Sequence, residues 1–389
     1  MQTSTYKDQV LAPYEWYRTM RATQPVFHDE EQKVWHLFRY SDVQRAMSEY
    51  ATFSSDPRST MEWQPEETDP ILASILRLDP PRHRQLRNLA SMAFTPRVVT
   101  QLAPRITEIT NELLDKVSNS AHELDVVRDL AYPLPVTVIA ELLGIPTEMR
   151  ADFKRWSDAL VSDEGEEDRE VLFAEIKSMY GYFAQVLEER RQHPQDDLVS
   201  ALLAAEIEGQ RLSDIELLGF CALLLVAGNE TTTNLIANSV LCFDQNPGVV
   251  ERLRRDPNLL PGAIEEALRY LSPIKAMARF TRTETVIGDQ QIGAREVVIT
   301  WLASANRDES QFPQAERFDI ERTPNRHIAF GHGIHFCLGA PLARLEAKIM
   351  LGAMLERFPG QWHVPDDAPL QPIKSDIVFG VKNLPLNWG

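Results

Sequence analysis

Cys337 lies in Phe330-Gly331-His332-Gly333-Ile334-His335-Phe336-Cys337-Leu338-Gly339, a loop with three glycines that opens onto a helical pattern. Glycines permit positive φ and let backbone approach something bulky. The helix that follows sets backbone N–H groups and a positive dipole end close to the sulfur, and both effects favour the thiolate. A thiolate held this way can be a nucleophile with His335 as its base, or a zinc ligand with His327, His332 and His335 nearby. It can equally be a haem ligand, and the loop alone leaves the three open.

Three further constellations carry chemistry. Ala227-Gly228-Asn229-Glu230-Thr231-Thr232 interrupts a long apolar helical run. Gly costs ~1 kcal/mol relative to Ala inside a helix, and a Thr hydroxyl can bond back to a carbonyl and bend it. Small residues beside an acid and a hydroxyl mark a local opening that admits a ligand and a proton path. Glu266-Ala267-Leu268-Arg269 places an acid and a base on one helix face. In Asp79-Pro80-Pro81-Arg82-His83-Arg84-Gln85-Leu86-Arg87, His83 and Arg87 share a face and suit a pair of carboxylates.

Taken together, and in this order, the motifs resemble those of the cytochrome P450 family, whose haem loop follows F-x-x-G-x-H-x-C-x-G. The likeness covers nearly the whole chain, from Tyr40-Ser41-Asp42-Val43 to Leu384-Pro385. It implies that Cys337 is the axial thiolate of haem b (iron protoporphyrin IX), pushing electron density that favours O–O cleavage. Phe330 would pack beside the sulfur and Gly339 would border the cofactor. His83, Arg87, Arg279 and His335 would meet the propionates. Ala227 and Gly228 would leave room for dioxygen, with Glu230 and Thr231 supplying protons. Arg317 would join the Glu266–Arg269 pair. By family position the substrate pocket holds Met61, Trp63, Leu223, Ala227, Ile274, Ala276, Met277 and Phe379, all apolar, with Lys275 as a candidate anchor for a substrate carboxylate.

The activity so implied is a haem-thiolate monooxygenase that inserts one atom of O2 into a hydrophobic substrate by hydroxylation or epoxidation. A length of 389 residues leaves no room for a fused redox domain, so electrons would come from a separate ferredoxin with its reductase. Arg344 and Lys348, one turn apart, are candidates for the docking patch. A peroxygenase or rearrangement enzyme of the same class is the alternative, and Glu230-Thr231 argues for dioxygen. A gas-sensing haem protein would not need that pair.

The elements that must position these residues form one mostly helical domain, 1–389, mainly α with a minor β region and a long central helix. That helix opens with a capping box at Ser213 and Glu216 and stops at Asn246-Pro247. Helical periodicity also runs from Pro80 to Leu202, with breaks expected at Pro96, Pro104, Pro133-Leu134-Pro135 and Pro146. A final helix is expected from about Pro341 to Arg357. Val34–Phe38 has strand composition, and a helix follows from Ser41-Asp42 through Met47. Further short strands fall at Val286-Ile287 and Val297–Ile299. Residues 56–70 form a polar loop, and 163–169 a charged turn.

The net charge of −17 (40 basic, 57 acidic) argues against a nucleic-acid partner. Three cysteines, none in CxxC spacing, point to a reducing cytoplasm. The longest apolar stretch, Leu217 to Ala227, falls short of the ~20 residues a membrane span needs, and MQTSTYKDQVLAPYEWY lacks a signal-peptide order.

Overall fold

The computed structural model describes residues 6–59, 70, 72–117, 123–161, 169–206, 209 and 211–389. The helices are α1 (Tyr6–Thr23), α2 (Tyr40–Ser48), α3 (Arg82–Ala93), α4 (Pro96–Gln101), α5 (Ala103–Val117), α6 (Pro133–Leu142) and α7 (Arg150–Val161). They continue with α8 (Arg169–Gln192), α9 (Leu198–Ala204), α10 (Asp214–Gln245), α11 (Val249–Arg255), α12 (Leu260–Tyr270), α13 (Leu302–Ala305) and α14 (Ala340–Arg357). The strands β1 (Val26–Asp29), β2 (Val34–Leu37), β3 (Phe53–Ser54), β4 (Glu123–Asp125) and β5 (Ala276–Thr281) are followed by a second set. These are β6 (Thr285–Ile287), β7 (Gln290–Ile292), β8 (Val297–Trp301), β9 (Trp362–His363) and β10 (Pro385–Trp388). The architecture is mainly α with small sheets, as the sequence implies.

The capping box forms as expected: Ser213 Oγ accepts from Glu216 N, and the Glu216 carboxylate accepts from Ser213 N at 2.9 Å. From there α10 runs 32 residues, about 48 Å at 1.5 Å per residue. By length and hydropathy it would also pass as a membrane span. Its surroundings are protein, however: α6, α7, α8, α12 and α14 all pack on it. A helix apolar on every side is the core of a large fold.

Most of the expected breaks at proline are helix starts. Pro96 and Pro133 open α4 and α6 at the first-turn positions, where a missing N–H costs nothing. Helix α2 begins one residue early, at Tyr40. Its first N–H is satisfied from far along the chain by Asp308, at 2.7 Å. The five-stranded sheet has the order β1-β2-β8-β5-β3. Strand β5 pairs antiparallel with β8, Arg279 opposite Val298 and Met277 opposite Thr300. A second core around Trp35, Val43, Phe53 and Phe312 fills the space behind it. The polar loop lies mostly outside the described residues, as do 163–168 of the charged turn.

Helix α12 supplies the frame for the cysteine loop. Glu266 and Arg269 are both fully buried and joined by two 2.8 Å bonds. The third member is Arg322, not Arg317: Arg322 Nε lies 3.1 Å from both Glu266 oxygens. The Arg317 side chain is exposed, and only its carbonyl joins the network, accepting from Arg269 at 3.0 Å. Glu266 also accepts from Asp319 N and Asn325 Nδ2. Arg269 donates to the carbonyls of Asn306 and Ala315. Asn306 Oδ1 in turn holds Ile328 N at 2.7 Å, where the cysteine loop begins. Breaking a buried pair strands a charge, so Glu266→Ala is expected to cost about 3–5 kcal/mol. Arg322→Ala should cost about 1–3 kcal/mol and Arg317→Ala less than about 0.5 kcal/mol. Urea unfolding of the three variants checks the ranking, and a cost for Arg317→Ala equal to that of Arg322→Ala would overturn it.

Candidate functional site

The cysteine loop folds on two backbone reversals. Gly331 and Gly333 sit at φ 75° and 70°, where only glycine is unstrained. Cys337 N donates to Phe330 O at 2.8 Å, which closes the loop. Gly339 is different: its φ is −81°, and a Cβ there would stand 4.0 Å from the Cys337 sulfur. Phe330 lies under the Arg344 guanidinium at 4.4 Å. Arg344 is bound bidentately to Glu265 at 2.7 and 2.8 Å, and His327 shares that carboxylate at 3.1 Å. The neighbours Glu265 and Glu266 therefore hold the loop from one helix.

Burial pushes the Cys337 thiol above its ordinary range. The N–H groups of Gly339 and Ala340 and the charges of Arg87 and Arg344 oppose this without overcoming it. The N–H groups at the start of α14 thus act on the sulfur in the direction the sequence implies, and desolvation is the larger effect. A coordinated metal ion deprotonates a thiol outright. Zinc has no ligand set here: among the described residues no three His, Cys, Asp or Glu side chains gather, and His327 is taken by Glu265.

Four cationic or donor side chains converge beside the loop. The His83 and His335 rings are 4.3 Å apart. His335 is pushed down to about 3 by burial, then by the charges of His83, Arg279 and Arg87. His83 falls to about 4 through burial and Arg87. Burial likewise lowers Arg279 to about 10. His83 Nε2, His335 Nε2 and Arg279 Nη2 are buried with no partner among the described residues. Three orphaned donors in one place are expensive unless an anion meets them. Two propionates fit that demand, so the residues suit haem b.

On α10, the Thr231 hydroxyl donates back to Ala227 O at 2.6 Å. Ala227 is exposed, while Leu223 one turn earlier and Thr231 one turn later are half-buried on the same face. Glu230 is buried at 8% exposure, with Ser157 Oγ of α7 3.5 Å from its carboxylate. Asn229 Nδ2 donates to the same Ser157 oxygen at 3.3 Å. Gly228 departs from the expectation of leaving room for dioxygen. A Cβ there would meet Ile139 Cδ1 of α6 at 2.7 Å, so the glycine serves helix packing.

The pocket residues divide. The pleat of β5 puts Met277 on the same face as Arg279 and turns Ala276, 4% exposed, to the other. Phe379 packs edge-on against Tyr14, and Ile274 bridges to Val378. Met61 and Trp63 lie outside the described residues. Lys275 is neither solvent-facing nor free as an anchor: its Nζ donates to the Ser375 carbonyl. Sequence reasoning missed Arg322, the Glu265–Arg344–His327 cluster and Ser157. Each joins residues at least 56 apart in the chain, beyond the reach of any local pattern.

A family model described as "Cytochrome P450" matches residues 16–388, and the chain belongs to that family. A Bacillus subtilis relative, the putative cytochrome P450 YjiB, is 45% identical over 97% of this chain and 94% of its own. The erythromycin C-12 hydroxylase of Saccharopolyspora erythraea is 40% identical over 96% of this chain and 94% of its own. The crystal structure of CYP109E1 from Bacillus megaterium with testosterone superposes with a TM-score of 0.91 at 43% identity, covering 98% of this chain and 99% of that one. The protein is therefore a cytochrome P450 monooxygenase, an oxidoreductase whose cofactor is haem b.

Burial pushes the Glu265 carboxyl up, but hydrogen bonds from Arg344 and His327 outweigh it and hold it at about 2. A depressed carboxylate contributes stability above its unfolded value that is lost as pH falls through the folded one. Wild type should thus lose stability from the ordinary glutamate range down to about 2, and Glu265→Gln should show a shallower slope there. Urea midpoints across that window check this; identical slopes would count against the tether.

Proposed function

We propose that the protein hydroxylates or epoxidises a hydrophobic organic molecule with one oxygen atom of O2, in the cytoplasm, as one domain fed by a separate ferredoxin and its reductase. The observation that carries this reading is the acid–alcohol pair one turn from the exposed Ala227 on a mostly buried helix. The haem, when bound, supplies the dioxygen site and accepts electrons; Cys337 would hold it, with His83, Arg87, Arg279 and His335 on its propionates. Everything else falls to the chain.

Thr231 Oγ donates its one proton to Ala227 O, so its lone pairs are free to accept a hydrogen bond from a proton-bearing group in the pocket and hold it in place. Glu230 sits one residue earlier and is buried against α7. A buried acid next to a hydroxyl suits proton transfer from solvent to the pocket, worth about 10²–10⁴ in rate where it works as a general acid. Leu223, Ala227 and Met277 offer the substrate an apolar wall that excludes water. Arg344 is committed to Glu265 and Phe330, which leaves exposed Lys348, unpaired among the described residues, to meet a ferredoxin.

The test is reconstitution with NADPH, reductase and ferredoxin, and a panel of hydrophobic substrates. Wild type is expected to couple NADPH use to product. Thr231→Ala should keep consuming NADPH but release hydrogen peroxide, with product per NADPH falling about tenfold or more. Glu230→Gln should slow turnover itself. Product formed only from added peroxide would favour the peroxygenase instead, and full coupling in both variants would contradict the proton path.

A further inference from the structure

Arg77 ends a short 3-10 turn, Ile75–Arg77, that leads into α3. The segment lies across α10: a Cβ on Gly219 would come within 2.2 Å of Pro70 O and 3.4 Å of Ser74 N. Gly219 is one turn before Leu223 and two before Ala227, on the pocket side of that helix. Arg77 follows directly on the stretch that packs on α10 and precedes His83 by six residues.

Its guanidinium is half-buried and, among the described residues, makes no hydrogen bond and no ion pair. Burial lowers its pKa with no acid opposing the effect. The half-buried Arg82, Arg105 and Arg344, by contrast, are matched by Glu216, Glu141 and Glu265. The nearest acid along the chain, Asp79, is already occupied by Ser54 Oγ, Ser55 N and Arg282. Arg77 is close enough to Arg279 for the two positive charges to repel. Two propionates already have His83, Arg87, Arg279 and His335. A further guanidinium with no acid partner among the described residues has room for another anion, and its planar fork matches a carboxylate.

Resting on the monooxygenase reading, we propose that Arg77 binds a carboxylate, and that it is the carboxylate of the substrate: a hydrophobic acid whose apolar body lies along Leu223 and Ala227. Lys275, bonded to Ser375 O, does not compete for that role.

The experiment uses haem-loaded wild type, Arg77→Gln and Arg77→Lys. Each is titrated with medium- and long-chain fatty acids and their methyl esters at neutral pH, read by the Soret shift on substrate entry. Wild type is expected to bind the acid on the order of tenfold tighter than its ester, the scale of one charge-assisted hydrogen bond. Arg77→Gln should erase that preference by weakening the acid alone, and Arg77→Lys should restore part of it. Equal affinity for acid and ester in wild type, no shift with any acid, or equal weakening of both by Arg77→Gln would overturn the proposal. Haem transfer to apomyoglobin separates the two sources of carboxylate. Faster haem loss in Arg77→Gln with an unchanged acid–ester ratio would assign Arg77 to a propionate and remove the substrate assignment. Loss of the thiolate signature in wild type would instead sink the monooxygenase reading, leaving the two failures distinct.

Discussion

The Glu266 carboxylate, fully buried on α12, is the point on which the rest of the structure hangs. An unpaired charge in that position would cost several kcal/mol, and attraction to one arginine does not repay the desolvation of both ions. The fold meets the demand by saturating every valence: two guanidinia, a backbone N–H and a side-chain amide converge on it. Arg269 spends its remaining donors on carbonyls from three places in the chain between Asn306 and Arg317. A turn-rich stretch with little regular structure is thereby fixed. Its last tie, Asn306 to Ile328, delivers the cysteine loop to a set position. Glu265, the neighbouring residue, takes the other side of the same loop through Arg344 and His327.

Helix α10 faces the opposite problem, since it must be apolar to form the core yet polar where chemistry occurs. Several of its interior polar residues are satisfied by backbone carbonyls, some of them distant in the chain. Thr233 donates to Ala131 O, at the π-helical turn before α6. Asn238 Nδ2 donates to Leu271 O at 3.0 Å, and Ser239 bonds back to Leu235 O. Gly228 lets Ile139 close the gap to α6. These features anchor the helix from Gly228 onward, immediately after the exposed Ala227, so that Glu230 and Thr231 are presented by a rigid support rather than by a loop.

What is legible in the sequence is what local rules encode. The capping box at Ser213, the stop at Asn246 and the glycine-punctuated cysteine loop are each set by residues within a few positions of one another. Arg317 stands where a local likeness puts the third member of the ion network. Arg322 takes that place because the backbone between them turns the first outward and the second in. Gly228 looks like space for a ligand until Ile139, 89 residues upstream, fills it. Whether Ala276 or Met277 faces the site depends on the pairing of β5 with β8, and a one-residue slip would exchange them. In each case the missing information is a partner distant in the chain.

Attachment of the haem through the Cys337 thiolate is tested most directly by the difference spectrum of the dithionite-reduced protein with and without carbon monoxide. A strongly red-shifted Soret band in wild type that is absent from Cys337→Ala is the predicted result. A band at the blue position of histidine-ligated haem in fresh wild type, or no haem at all, would contradict it.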